Sequence, residues 1–429
     1  MKHIFLILSL SLLFCGQVFA QQKLSFTLKE AQKYALEHNR TLKNASLDIQ
    51  KAEASRWQTL ASMLPQVNVN LDYSNYCGYE MNFSEMIIPM NPSGNLTAQA
   101  AVALSGAQVI GTQIKTIAKK MAEVSLNKSE QEIANQVKRL YYSALVMEET
   151  VDLLGKNLEN LKKLYQFTEV SVKVGVSEQT DADQLMVQVA SMETSINSTK
   201  RSLEMLYNSL RLQLGIDVNT EIELTQTIDN LLNIESAMAL LSSDFVLDKN
   251  FSYQLVKQNV DLSEKEITLN AWNYGPTVSA YYQYTKKTYF GKDAGFNMTP
   301  PNLVGASISI PIFSSGVNYK KLLEAKISYK EQLNTLADTE DALKVQHRQL
   351  NYNLRSAFES FETQKKNIEV SQRVFDNISK KYENGIASSL DVTNSGTNLI
   401  SAQNSYVQAL MELVTAQVDL EELLNTSNN

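Results

Sequence analysis

Two carboxylates stand out by where they sit. Asp181 comes six residues after Gly175 in Gly175-Val-Ser-Glu-Gln-Thr-Asp181, and Asp391 six after Gly385 in Gly385-Ile-Ala-Ser-Ser-Leu-Asp391. Glycine tolerates the left-handed conformation that ends a helix, so each acid falls in the first turn of the helix that follows. A carboxylate there accepts hydrogen bonds from unpaired amides and faces the positive end of the helix dipole; Ser388-x-x-Asp391 has the capping-box spacing. That chemistry orients or binds, and turns nothing over. The chain has three histidines (His3, His38, His347) and two cysteines (Cys15, Cys77), too few for an imidazole or thiolate metal centre. It also lacks a nucleophile elbow, a phosphate loop and a zinc motif. No enzymatic activity, cofactor or metal is expected. A formal net charge of −7 leaves no basic face for nucleic acid.

The two acids belong to a larger repeat. Leu64-Pro65-Gln66-Val67 and Gly275-Pro276-Thr277-Val278 open two alternating segments, and Ala103-Leu104-Ser105-Gly106 and Phe313-Ser314-Ser315-Gly316 close them, within a residue of the offset that separates the glycine turns. Such self-similarity marks an internal duplication. The expected division is a leader over 1–20, a first repeat over 21–215, an irregular insert over 216–245 and a second repeat over 246–429. The leader has basic Lys2, an apolar run from Ile4 to Phe14 and Val18-Phe19-Ala20 ahead of Gln21, the pattern of a secretory signal peptide. Cys15 would suit lipidation, but Phe14 stands where a lipobox needs a small residue.

Val67, Val69, Leu71 and Tyr73 alternate with Asn68, Asn70, Asp72 and Ser74, a strict period of two that predicts a strand. Its partner is expected over 97–105. In the second repeat Val278, Ala280, Tyr282 and Tyr284, then Ala306, Ile308, Ile310 and Ile312, alternate with polar residues. Four strands of about ten residues have the length that crosses a bilayer when tilted. Tyrosines 73, 76, 79, 281, 282, 284 and 289 suit an interfacial girdle, and 80–96 and 286–302 read as exposed loops. Two soluble hairpins packed on helices are the alternative. Helices are expected over 28–62, 106–174, 177–214, 246–273, 317–384 and 387–424. Leu154, Leu158, Leu161 and Tyr165, and Leu410, Leu413, Leu420 and Leu423, carry coiled-coil spacing. The fold class is α+β, mostly α.

Four membrane strands cannot close a barrel, and an open sheet edge is not tolerated in lipid. Several copies must therefore pool their strands, and one ring symmetry would also pair the two-sided helices.

The chain resembles the TolC-like outer membrane factor family over nearly its whole length past the leader. The resemblance rests on Leu28-Lys-Glu-Ala31 with Ala35-Leu36 and Asn39, Met63-Leu64-Pro65 before a strand, Ile310-Pro311-Ile312-Phe313 before Gly316, and Tyr382-x-x-Gly385 followed by Leu390-Asp391-Val392. Arg40 departs from the family, which usually has proline there. The resemblance implies a homotrimer in the outer membrane lipid, with a shared 12-stranded barrel and a periplasmic helical tunnel. It further implies a passive exit duct serving an inner-membrane pump through a periplasmic adaptor. Drug or small-molecule efflux is expected, with type I protein secretion as the alternative; a periplasmic coiled-coil structural protein is the reading from another class.

By the same resemblance Asp391 matches an acidic ring at the tunnel entrance, and Thr180, Asp181 and Tyr382 match contacts that hold it closed. A second ring acid is replaced by Asn394, and a basic closure residue by Ala387; Asp183 supplies a further negative charge near Asp181. Carboxylates crowded round one axis repel, which favours bound cations. Simple helix capping by Asp181 and Asp391 is the competing account.

Overall fold

The computed structural model describes residues 23–83, 86–228, 234–290, 297 and 299–425. The leader read over 1–20, and Gly291 and Gly295 of the second loop, lie outside the described residues. In chain order the elements are β1 (Lys23–Phe26), α1 (Leu28–His38), α2 (Arg40–Ala61), β2 (Gln66–Ser74), β3 (Glu80–Phe83), β4 (Met86–Pro89), β5 (Ser93–Ser105), α3 (Gly106–Lys173), α4 (Gln179–Leu214), β6 (Glu221–Leu224), α5 (Ile234–Ala239), α6 (Phe251–Ala271), β7 (Thr277–Tyr289), β8 (Asn302–Ser309), α7 (Val317–Glu383) and α8 (Ser389–Leu424). They divide into two compact units. One holds 1–44, 127–250 and 342–429, the other 45–126 and 251–341, so α2, α3 and α7 contribute to both.

Three expectations are corrected. The helix expected over 28–62 is two helices, because Asn39 breaks it. Its backbone is extended at φ −60° and ψ 132°, its Nδ2 donates to the Gln213 carbonyl at 2.7 Å and its Oδ1 accepts the Thr41 N–H at 2.7 Å. One buried amide thus ends α1 and starts α2, the double use that makes asparagine a good cap. The insert expected to be irregular carries β6, which pairs in parallel with β1 (Phe26 opposite Leu224). The loop expected over 80–96 holds the β3–β4 hairpin, with Met81 opposite Ile88, and the start of β5.

The second unit contains an antiparallel sheet in the order β2-β5-β7-β8. Its register runs Val67 to Ala100, Ala100 to Tyr282 and Tyr282 to Val304. The row beside it runs Asn68, Gln99, Gln283 and Leu303. Because side chains alternate faces, Val67, Val69, Leu71, Leu96, Leu104, Val278 and Val304 fall on one mainly apolar face, which also carries Lys286 and Asn302 towards the end of the sheet away from Ser105. That face is open, with Leu71 at 80% and Val304 at 77% exposed. Tyr281 and Tyr289 alternate onto the polar face, so only Tyr73, Tyr282 and Tyr284 of the strand tyrosines share the apolar one. Tyr281 lies opposite Gly305 with its ring across the glycine: a Cβ on Gly305 would come 2.6 Å from the hydroxyl oxygen, so a larger residue must push the ring aside.

The first unit has two apolar cores. One gathers Tyr141, Leu145, Leu210, Leu214, Leu354, Leu410, Leu413 and Leu420 from α3, α4, α7 and α8. The other gathers Leu154, Leu161, Leu185, Met192, Phe375 and Leu399 from the same four helices nearer the glycine turns. Of the residues with coiled-coil spacing, Leu154, Leu161, Leu410, Leu413 and Leu420 lie in these cores, and Leu158 and Tyr165 pack against the second.

Candidate functional site

The sequence folds each glycine turn the same way. Gly175 has φ 77° and Gly385 φ 72°. Val176 N–H reaches the Ser171 carbonyl at 2.8 Å and Gly175 N–H the Val172 carbonyl at 3.0 Å; Ile386 and Gly385 repeat the pair on Lys381 at 2.8 Å and Tyr382 at 2.9 Å. This is the Schellman closure of a helix, which needs a left-handed residue at its corner. Each turn joins a long helix to a short one, giving hairpins α3–α4 and α7–α8.

The two acids differ once the side chains are placed. Asp391 is held within its own hairpin. Its Oδ2 accepts the Ser388 N–H at 2.9 Å and the Ser388 hydroxyl at 2.8 Å, while its own N–H donates to Ser388 Oγ at 3.1 Å. The Ser388 backbone N–H, then its hydroxyl, hold the Asp391 carboxyl below its ordinary range. Asp181 also caps its helix, accepting the Glu178 N–H at 3.2 Å, but in addition accepts the hydroxyl proton of Ser389 from the other hairpin. Ser389 is buried, and its Oγ also lies 3.0 Å from Gln184 Oε1.

A second link joins the hairpins deeper in. Thr168 Oγ1 donates to the Leu164 carbonyl at 2.8 Å and lies 2.7 Å from the Tyr382 hydroxyl. Thr168 has one proton to give, so Tyr382 donates to it. Burial first, and the Asp181 charge second among the raising causes, push the Tyr382 phenol up. Both residues are buried, Thr168 completely.

Thr180 donates to Glu178 Oε2 at 3.2 Å, and Asp183 Oδ1 accepts from Gln179 at 2.9 Å. Thr180, Asp183, Gln184, Val187 and Gln188 line a cavity of about 320 Å³ with Thr393 of the other hairpin. Asn394, the next residue, is exposed and is not part of that lining. The structure therefore brings Asp181, Tyr382, Thr180 and Asp183 to the junction of the hairpins and leaves Asp391 and Asn394 exposed on α8. Sequence reasoning missed Ser389 and Thr168. Thr168 had a readable signal, a polar residue one turn beyond Leu164 on the seam of Leu154, Leu161 and Leu164; Ser389 had none beyond its place after the cap. Among the described residues no cluster of histidine, cysteine and acidic side chains could hold a metal, and no helix is long and apolar enough to cross a membrane.

Comparison with known proteins gives a consistent frame. The model of the outer membrane efflux protein family matches residues 32–216 and 244–426. The cation efflux system protein CusC of Escherichia coli is 23% identical over 394 residues, covering 86% of this chain and 80% of that one. The probable efflux pump outer membrane protein TtgC of Pseudomonas putida is 22% identical over 424 residues, covering 92% and 82%. Among solved structures, the CmeC outer membrane channel of Campylobacter jejuni superposes with a TM-score of 0.77 at 15% identity, covering 92% of this chain and 85% of that one.

Proposed function

This chain belongs to the outer membrane efflux protein family, and from that premise we propose how its parts divide the work of an export channel. The protein is an outer-membrane exit duct of a tripartite efflux system. The observation that carries the membrane part is the strand register. It sets a mainly apolar face against a mainly polar face across all four strands, the arrangement a barrel needs between lipid and water. Four strands with free outer edges on β2 and β8 call for further copies to close the sheet, and three copies give twelve strands. The helices form the periplasmic conduit that a periplasmic adaptor links to an inner-membrane pump, with small molecules as cargo.

The hairpin junction is the resting gate in this reading. Ser389 to Asp181 and Tyr382 to Thr168 tie the two hairpins of one copy together, and each link is worth about 1 kcal/mol net. Ala387 takes away a charged link, so these two hydrogen bonds carry the closure. Asp391, capped but exposed, and Asp183 present negative charge at the entrance, where copies around an axis would hold cations. The test is conductance in a planar bilayer. A small, cation-selective pore blocked by polyvalent cations and widened in Asp181→Ala is expected. Failure of the detergent-purified protein to insert would remove the channel reading and favour a periplasmic coiled-coil protein.

A further inference from the structure

The polar face of the sheet is almost without charge. Asn68, Asn70, Thr97, Gln99, Ser279, Gln283, Thr285 and Ser307 fall on it, together with small residues, Leu303, Tyr281 and Tyr289. The two exceptions among the strand residues are Asp72 and Lys287, and the register places both on a single row: Asp72 opposite Asn95, and Asn95 opposite Lys287. Two strand spacings separate them, about 10 Å, too far for an ion pair. Neither has an ion-pair partner among the described residues; Lys287 Nζ instead sits 4.9 Å from the centre of the Tyr289 ring. The row lies at the end of the sheet away from Ser105, where β5 runs into α3.

We propose that Asp72 and Lys287 form the charge filter of the barrel mouth, one acid and one base from each copy facing the lumen, and that their balance makes this mouth accept solutes of either sign. The inference rests on the channel reading above. Elsewhere the lumen wall is uncharged, amide and hydroxyl with Leu303, Tyr281 and Tyr289 among them, which does not choose the sign of a passing charge. A fixed carboxylate and a fixed ammonium within a low-dielectric rim do choose, each raising the local concentration of its counter-ion. At about 10 Å apart the two are close to one screening length at moderate salt, so each acts on its own side of the opening while their far fields cancel. Neutral or zwitterionic molecules meet no barrier there. The leaving cargo is therefore sorted elsewhere along the path, and the mouth keeps out neither cations nor anions from outside.

Two measurements test this. Reversal potentials across a salt gradient are compared for the wild type, Asp72→Asn, Lys287→Gln and the double variant. Asp72→Asn is expected to lower the cation-to-anion permeability ratio by about twofold or more and Lys287→Gln to raise it similarly, with the double variant returning to the wild-type ratio. Single variants that insert with unchanged ratios would overturn the filter. Thiol accessibility separates that failure from failure of the channel itself. In a Cys77→Ser background, Asn95→Cys is expected to react with a membrane-impermeant thiol reagent and lose conductance, while Leu96→Cys does neither. Reaction at Leu96→Cys and none at Asn95→Cys would invert the faces and sink the proposal, and absence of any pore would sink the channel reading beneath it.

Discussion

Ser389 gives its hydroxyl proton to Asp181 across the two hairpins, while its neighbour Ser388 gives its own to Asp391 within one hairpin. Two acids that occupy equivalent places in the two repeats have thereby acquired different work. The difference arises at one position. In the first repeat Gln179 stands where the second has Ser389, and its amide turns to Asp183 at 2.9 Å rather than to the opposite hairpin. Adjacent serines thus divide the roles of cap and cross-link.

Removing the cross-link should loosen the tips without unfolding them. Ser389→Ala leaves the Asp181 carboxylate partly exposed, able to recover water, so the cost is expected at about 1 kcal/mol. Amide exchange should rise in the first turns of both α4 and α8, and the fraction of open channels in a bilayer should increase several-fold. Ser388→Ala should raise exchange in α8 alone. Equal effects of the two substitutions on α4 would mean that Asp181 is an ordinary cap.

The Asp391 cap sets a pH dependence whose sign is fixed by its direction. Its folded carboxyl titrates below the ordinary value, about 3.9 for aspartate in an unfolded chain. The stabilisation is therefore fully present above that value and disappears as pH falls through the lower folded one. Asp391→Asn should raise exchange at the start of α8 at pH 7, and the difference should shrink as pH falls below about 3.9. In the same variant, surviving block by polyvalent cations would assign that block to Asp183 or Asp181, and loss of it would make Asp391 the ring residue as well as the cap.

Tyr382 and Thr168 offer a cleaner hydrogen bond, because both are buried. Tyr382→Phe removes the donor but keeps the ring against Phe167, whose centroid is 6.4 Å away, and Thr168 keeps its bond to Leu164. The expected cost is about 1 kcal/mol, against about 3–5 kcal/mol for Tyr382→Ala, which also opens a cavity. Thermal melting of the detergent-solubilised protein measures both. A Tyr382→Phe protein as stable as wild type would mean that the hydroxyl pair contributes nothing to closure.

Much of this architecture was legible because its signals are periodic. Strands at Val67–Tyr73 and Val278–Tyr284 and the seams at Leu154–Tyr165 and Leu410–Leu423 announce themselves through spacing, and so do the turns at Gly175 and Gly385. What escaped was contact between distant segments. Nothing in residues 216–245 reveals that Glu221–Leu224 pairs with Lys23–Phe26, since a four-residue strand has too short a pattern to recognise. Asn39 reads as a tolerable helix residue until Gln213 takes its amide. Ser389 likewise acquires its role only from Asp181, 208 positions earlier in the chain, and single-sequence spacing carries no trace of that pairing.

The pair Tyr281 and Gly305 makes the sheet itself testable. Gly305 does not need a left-handed backbone, as it is absent from the positive-φ glycines, so its only demand is room for the ring lying across it. An aromatic side chain laid over a cross-strand glycine covers backbone that would otherwise be bare and pins the register of β7 against β8. Gly305→Ala should therefore force the Tyr281 ring aside at a cost of about 1–3 kcal/mol, seen as earlier loss of the compact, heat-modifiable band on a gel. Tyr281→Ser should weaken the sheet as well, but in that background Gly305→Ala should be nearly silent, since the methyl group then meets open space. A coupling energy of about the full single-variant cost in this double-mutant cycle is the expected result. Additive losses would show that Gly305 is needed for the strand backbone and that Tyr281 only happens to lie above it.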